Sequence, residues 1–133
     1  MNRYILDSFA MLAFFEDEPG SDKVEGILRD LIRKKSKGYI SIINWGEIYY
    51  NIYRVQGEAE AESVITQVGR YPIELIDADQ ALTLEAAKLK GKYKIAYADC
   101  FAAALANRLS AKVVTGDKDF KRLEKEIEIE WII

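Results

Sequence analysis

Short runs of β-branched and apolar residues alternate with longer stretches of helical periodicity along this chain. That alternation limits the fold more than any other feature, because parallel strands need connections long enough to hold a helix. Tyr4-Ile5-Leu6 reads as a buried strand, and Phe9 to Phe15, apolar all round, as a buried helix. After a polar break ending in Pro19-Gly20, Val24, Ile27, Leu28, Leu31 and Ile32 recur on one helical face. Tyr39 to Ile43 reads as a second strand, followed by a helix marked by Trp45, Ile48, Tyr49 and Ile52, with Asn44 as its candidate N-cap. A further helix is expected over Glu58 to Val68 and a third strand over Ile73 to Ile76. Leu82, Ala86 and Leu89 define a helix that Asp77 and Gln80 could cap, and Lys88 to Lys94 reads as a basic connection around Gly91. An alanine-rich helix over Tyr97 to Leu109 then leads to a fourth strand, Lys112 to Thr115, and to an edge strand within Glu128 to Ile132. The expectation is one α/β domain over residues 1–133, with a mostly parallel sheet and helices on both faces.

The chain has 133 residues, enough for a core without disulfides, and its single cysteine, Cys100, suits a reducing, cytoplasmic setting. No run of about 18 apolar residues is present, so no membrane span is expected. Asp7 interrupts the N-terminal apolar stretch, which therefore does not read as a signal peptide. The absence of histidine removes the commonest general base, the Ser-His-Asp and Cys-His nucleophile systems and most zinc sites. Hydrolytic chemistry would have to rest on carboxylates, Lys or Tyr, or on a hard cation held by oxygen. The net charge of −3 excludes a globally basic nucleic-acid coat protein, so a nucleic-acid partner would need local positive patches or metal-bridged phosphates.

In open α/β sheets, sites gather beyond the carboxyl ends of the strands. Asp7 ends the first expected strand, and Glu47 falls in what reads as the first turn of the helix after the second. Asp117 and Asp119 follow the fourth strand, and Asp99 opens the alanine-rich helix that leads into it. Two unit charges about 4 Å apart interact by roughly 4 kcal/mol at an effective dielectric of 20, so such a cluster needs protons or a cation. Oxygen ligands without His or Cys suit Mg²⁺ or Mn²⁺, which can activate water and clamp phosphate oxygens.

Each acid alone has an ordinary explanation. Asp7-Ser8 could cap the first helix, Asn44 and Glu47 could form a capping box, Asp99 could favour its helix N-terminus, and Thr115-Gly116-Asp117-Lys118-Asp119 could be turn chemistry. What those explanations leave open is why all four positions fall at one end of one sheet. Glu16-Asp17-Glu18, the Glu58, Glu60 and Glu62 series, and Asp77 with Asp79 read as solvated or capping residues.

The stretches Ile5-Leu6-Asp7-Ser8, Asn44-Trp45-Gly46-Glu47-Ile48, Ala98-Asp99-Cys100-Phe101-Ala102-Ala103-Ala104-Leu105-Ala106 and Val113-Val114-Thr115-Gly116-Asp117-Lys118-Asp119-Phe120 resemble, in order and spacing, the PIN-domain ribonucleases, and among them the VapC-type toxins of toxin–antitoxin pairs. The resemblance implies a three-layer α/β/α sandwich and cleavage of single-stranded or loop RNA at an acidic pocket that binds Mg²⁺ or Mn²⁺, leaving 5′-phosphate and 3′-hydroxyl ends. It carries the four acids onto Asp7, Glu47, Asp99 and Asp117, with Asp7, Asp99 and Asp117 as metal ligands. Glu47 would position or deprotonate the attacking water or help hold a second metal. Thr115 matches the hydroxyl residue near the acids, Ser8 and Asp119 are supporting positions, and Phe9 stands where relatives often carry a small polar residue. A homodimer and a cognate antitoxin covering the groove are also implied.

Lys88, Lys90, Lys92 and Lys94, which lead into the helix of Asp99, are the best candidates for RNA phosphate contacts, ahead of the Arg33–Lys37 and Lys118–Arg122 clusters. Tyr49, Tyr50 and Tyr53 could stack on bases, but read better as core or subunit interface. Two other classes compete: a receiver-like phospho-acceptor domain, which would use Asp77 after the third strand, and a non-catalytic module on the same fold. Among nucleases, an RNA-processing enzyme that is not a toxin remains open.

Overall fold

A computed structural model describes all residues from Met1 to Ile133. Strand β1 (Asn2–Leu6) runs into helix α1 (Ser8–Phe15), followed by α2 (Ser21–Ile32), β2 (Ser36–Ser41), α3 (Ile42–Gln56) and α4 (Glu58–Val68). Then come β3 (Ile73–Ile76), α5 (Gln80–Lys92), α6 (Tyr97–Leu109), β4 (Lys112–Thr115), a 3-10 helix (Lys118–Leu123) and β5 (Ile129–Trp131). All four strand pairings are parallel and the sheet order is β3-β2-β1-β4-β5.

Strand alternation builds two cores. Tyr4, Leu6, Ile40 and Val114 pack on one face against α1, α2, α3 and α4, where Met11, Leu28, Ile48 and Val64 are buried. Ile5 and Val113 point the other way, against Leu82 and Leu89 of α5 and the buried alanines of α6. The result is the expected three-layer sandwich, with β1 and β4 covered on both sides. Each fully buried Leu or Ile side chain contributes about 1.5–3 kcal/mol. The run Ala102-Ala103-Ala104 lets α6 lie closely on the sheet, which keeps Asp99 near the strand ends.

Several local expectations shift. The second strand stops at Ser41, and Ile42-Ile43, though β-branched, open α3. Ser41 is the N-cap, its hydroxyl accepting from the Ile43 amide at 3.2 Å, so Asn44 lies inside the helix and Glu47 in its second turn. Asp79, not Asp77, caps α5 by accepting from the Leu82 amide at 2.7 Å. Lys88 to Lys92 belongs to the last turns of α5, where cations suit the negative end of the helix and Gly91 is tolerated; the connection is only Tyr93–Ala96. Gly57, at φ 92, makes the sharp turn between α3 and α4.

Sheet order also decides against the receiver arrangement. Such a domain needs its first and third strands side by side, as in the order 2-1-3-4-5. Here β2 separates β3 from β1, so Asp77 beyond β3 stands at the sheet edge, away from Asp7.

Candidate active site

The chain steps from β1 to β2 on one side and returns from β3 to β4 on the other, so the topological switch lies between β1 and β4. A crevice is expected beyond their carboxyl ends. Leu6 pairs with Val114, which brings the next residues, Asp7 and Thr115, level with each other. The Asp7 amide donates to the Val114 carbonyl at 3.4 Å, extending the ladder by one residue.

Asp7 is only 1% exposed. Its Oδ1 accepts from the Ala10 amide at 2.8 Å, so it does cap α1, as a purely structural reading would have it. That reading does not exhaust it. Burial pushes its carboxyl up to about 8; the Thr115 hydroxyl and the Ala10 amide oppose this, while the charges of Asp99 and Asp117 add to it. Asp99, in the first turn of α6, is pushed up to about 7 by burial and by the charges of Asp117, Glu47 and Asp119. No hydrogen bond offsets that rise. Asp99 thus lies within electrostatic reach of Asp7, Asp117 and Glu47, acids from three other parts of the chain.

Asp117 follows β4. Its amide donates to the Thr115 hydroxyl oxygen at 3.0 Å and its Oδ1 accepts from the Asp119 amide at 2.9 Å, which caps the 3-10 helix. Thr115, fully buried, therefore holds both Asp7 and the Asp117 backbone. Asp119 is exposed and lies 3.9 Å from Arg122, facing outward more than the other acids.

Glu47 reaches the same end from α3. Its Oε1 accepts from the Ser8 hydroxyl at 2.9 Å and from Asn44 Nδ2 at 2.9 Å. Asn44 Nδ2 also donates to the Ala98 carbonyl at 3.3 Å, joining α3 to the turn that carries Asp99. Asn44 is a site residue that the capping interpretation hid; its three-residue spacing from Glu47 was the available signal.

The lysines are dispersed. Lys88 pairs with Glu85 at 3.3 Å, and Lys90 donates to the Ile95 carbonyl at 2.8 Å, bracing the turn before α6. The Arg122 guanidinium holds the Lys94 carbonyl, tying that turn to the 3-10 helix after Asp117. Arg108, at the end of α6, lies 3.2 Å from Asp79 at the start of α5, so the two helices run antiparallel and α5 returns its lysine-rich end toward α6. Arg33 to Lys37 lies where β2 begins, at the opposite end of the sheet from the acids.

The donor set is all oxygen, and two of its members are buried carboxylates without a neutralising cation in the protein. As the side chains stand, no three acids converge closely enough to clasp an ion by themselves. That suits Mg²⁺, which usually takes one or two carboxylates and keeps several waters or substrate phosphate oxygens.

A family model described as the PIN domain matches residues 4–126. The chain belongs to the PIN domain family. Solved structures carry the same fold. A chain of the VapBC2 structure from Rickettsia felis, bound to a DNA fragment from their promoter, superposes with TM-score 0.76 at 22% identity, covering 96% of this chain and 97% of that one. DNA-bound VapBC of Salmonella typhimurium gives TM-score 0.76 at 17% identity over 100% of both chains. VapC20 of Mycobacterium tuberculosis, described as a sarcin–ricin loop cleaving toxin, gives 0.75 at 14% identity, covering 96% of this PIN domain and 98% of that chain. No curated protein matches the sequence. No helix of this PIN domain is long and apolar enough to cross a membrane.

Proposed function

We propose that this PIN domain is a Mg²⁺- or Mn²⁺-dependent endoribonuclease acting on single-stranded or loop RNA, and the toxin of a toxin–antitoxin pair. The observation that carries the reading is the pair of buried carboxylates, Asp7 and Asp99, held at the switch point with Asp117 and Glu47 around them. A pocket of that charge is unfavourable alone and favourable around a divalent ion that also meets a phosphate. Asp7, Asp99 and Asp117 are the residues that would hold the ion, one or two of them directly and the rest through its waters. When bound, it would supply polarisation of the scissile phosphodiester and a lowered pKa for attacking water.

The chain's own residues do the rest. Glu47 accepts the proton of the attacking water, with Ser8 fixing one of its oxygens. Water oxygen bonds to phosphorus, the bond from phosphorus to the 3′-oxygen breaks, and that oxygen leaves protonated from solvent. Thr115 keeps Asp7 and the Asp117 loop in register. Lys92 and Lys94, which precede α6 in the chain, and Lys118 and Lys121, which follow Asp117, are the candidates for contacts with RNA phosphates.

The toxin assignment and an antitoxin partner are supported by structural likeness to chains from VapBC complexes. Tyr50, Tyr53 and Val55 form an exposed stretch of α3 available to a second copy or to that partner. The test is to map cleavage of structured RNA with Mg²⁺ or Mn²⁺, beside the Asp7→Asn variant. Metal-dependent cleavage that disappears in the variant is the expected result; equal cleavage by both proteins would refute the site.

A further inference from the structure

We propose that Asn44 is a positioning residue for Glu47, dividing its carboxylate into a held oxygen, Oε1, and a working oxygen, Oε2. This rests on the nuclease reading above and deepens it. Oε1 receives two donors, Ser8 Oγ and Asn44 Nδ2, each at 2.9 Å. Oε2 has only the Tyr50 hydroxyl at 3.5 Å, on the exposed side of α3. An oxygen with two short bonds has little capacity left to take a proton from water, whereas its partner is free to do so.

The orientation of the Asn44 amide follows from its neighbours. Nδ2 faces Glu47 Oε1 and the Ala98 carbonyl, both acceptors. Turning the amide over would set Oδ1 against two acceptors, so the nitrogen belongs where it is. The consequence is that Oδ1, in a side chain with no exposure, has no hydrogen-bond partner. An unsatisfied buried acceptor is an expensive feature of a fold. Helix capping does not account for it, because Ser41 already caps α3. What the amide achieves is a bridge from Glu47 to the carbonyl preceding Asp99, across a sequence separation of 54 residues. It sets the position of the proton acceptor relative to the helix that presents Asp99. The Asn51 side chain donating to the Glu47 carbonyl at 2.8 Å restrains the same residue through its backbone.

The decisive measurement is a double-mutant cycle on RNA cleavage with Mn²⁺. Asn44→Leu and Asn44→Asp, both close in size to Asn, are made in the wild-type and Glu47→Gln backgrounds, and kcat, KM and thermal midpoint are determined for each. Alone, each should lower kcat about ten- to a hundredfold with KM within about twofold, as loss of a supporting partner does. In the Glu47→Gln background, either change should lower the residual rate less than about twofold. Equal losses in both backgrounds would make Asn44 a general scaffold residue and overturn the inference, as would unchanged kcat. Asn44→Asp keeps the shape should the Leu variant not fold, and unfolding of both would equally assign Asn44 to the scaffold. Absence of metal-dependent cleavage by the wild type, or full activity of Glu47→Gln, would instead refute the nuclease reading itself.

Discussion

The ring of Phe9 lies against Gly116 so closely that a Cβ at position 116 would stand 2.4 Å from Phe9 Cε1. One residue follows Asp7-Ser8 on α1, and the other precedes Asp117, so this contact locks the two loops that carry acids onto each other. Gly116 has no positive φ, and Ala would be acceptable to the backbone; the obstacle is the ring. Gly116→Ala should therefore displace the ring, and because Phe9 is 37% exposed and can swing toward solvent, the cost should be about 1 kcal/mol or less. Phe9→Ala should remove most of that penalty in the double variant. Urea denaturation of the four proteins checks this, and strictly additive effects would show that the ring is not the obstacle.

Thr115 offers a sharper test of loop geometry. Its oxygen accepts from the Asp117 amide while its hydroxyl faces Asp7, and neither interaction survives in Val. Thr115→Val should cost about 1–3 kcal/mol by leaving buried polar groups unpaired, and should lower RNA cleavage strongly. Thr115→Ser keeps the hydroxyl and should stay within a few-fold of wild type. Cleavage rates and thermal midpoints of the two variants, measured side by side, decide the point.

Asp7 and Asp99 both make stability depend on pH, and Asp7 has the larger shift. Its folded carboxyl titrates near 8 against 3.8 for a solvated one, so between those values the folded state binds the extra proton. Stability of the metal-free protein is thus highest at the acidic end of that window and falls as pH rises through it, by a few kcal/mol in order of magnitude. Asp7→Asn retains a capping oxygen for the Ala10 amide and should flatten the slope. Thermal midpoints in chelator at about pH 5.5 to 8.5, inside and just beyond that window, measure it; parallel curves for the two proteins would contradict the assignment.

The acids were legible in the sequence because each sits at a strand or helix boundary that hydrophobic patterning already marks: Asp7 after Tyr4-Ile5-Leu6, Asp117 after Val113-Val114, Asp99 at the head of the alanine run. Register then aligns Asp7 with Thr115 without further information. Contacts that join distant segments were not legible. Nothing local tells that Asn44 reaches the Ala98 carbonyl or that Phe9 covers Gly116. Ile42-Ile43 favours a strand by propensity, yet Ser41 starts the helix, and that two-residue error moved the cap onto Asn44 and concealed its bond to Glu47. Asp77 and Asp79 both read as capping residues, and the Leu82 amide and Arg108 select Asp79 in three dimensions.

Asp99 gives the most direct test of an ion. Its carboxylate is buried, faces Asp117 and Glu47, and has no hydrogen bond to offset them, so in the metal-free protein it is a liability to the fold. Asp99→Asn removes the charge while nearly preserving shape, and should raise the thermal midpoint in chelator at about pH 8, where the wild-type group is largely ionised. In the wild type, Mn²⁺ should stabilise by about 2.7 kcal/mol when present at 100 times its dissociation constant, since it binds the folded state alone. The Asp99→Asn substitution should abolish most of that gain, because it removes one of the three carboxylates proposed to hold the ion and one of the charges that the ion would neutralise. The variant should therefore lead the wild type in chelator and lose that lead when Mn²⁺ is added. An equal Mn²⁺ shift in both proteins would place the ion elsewhere on the molecule.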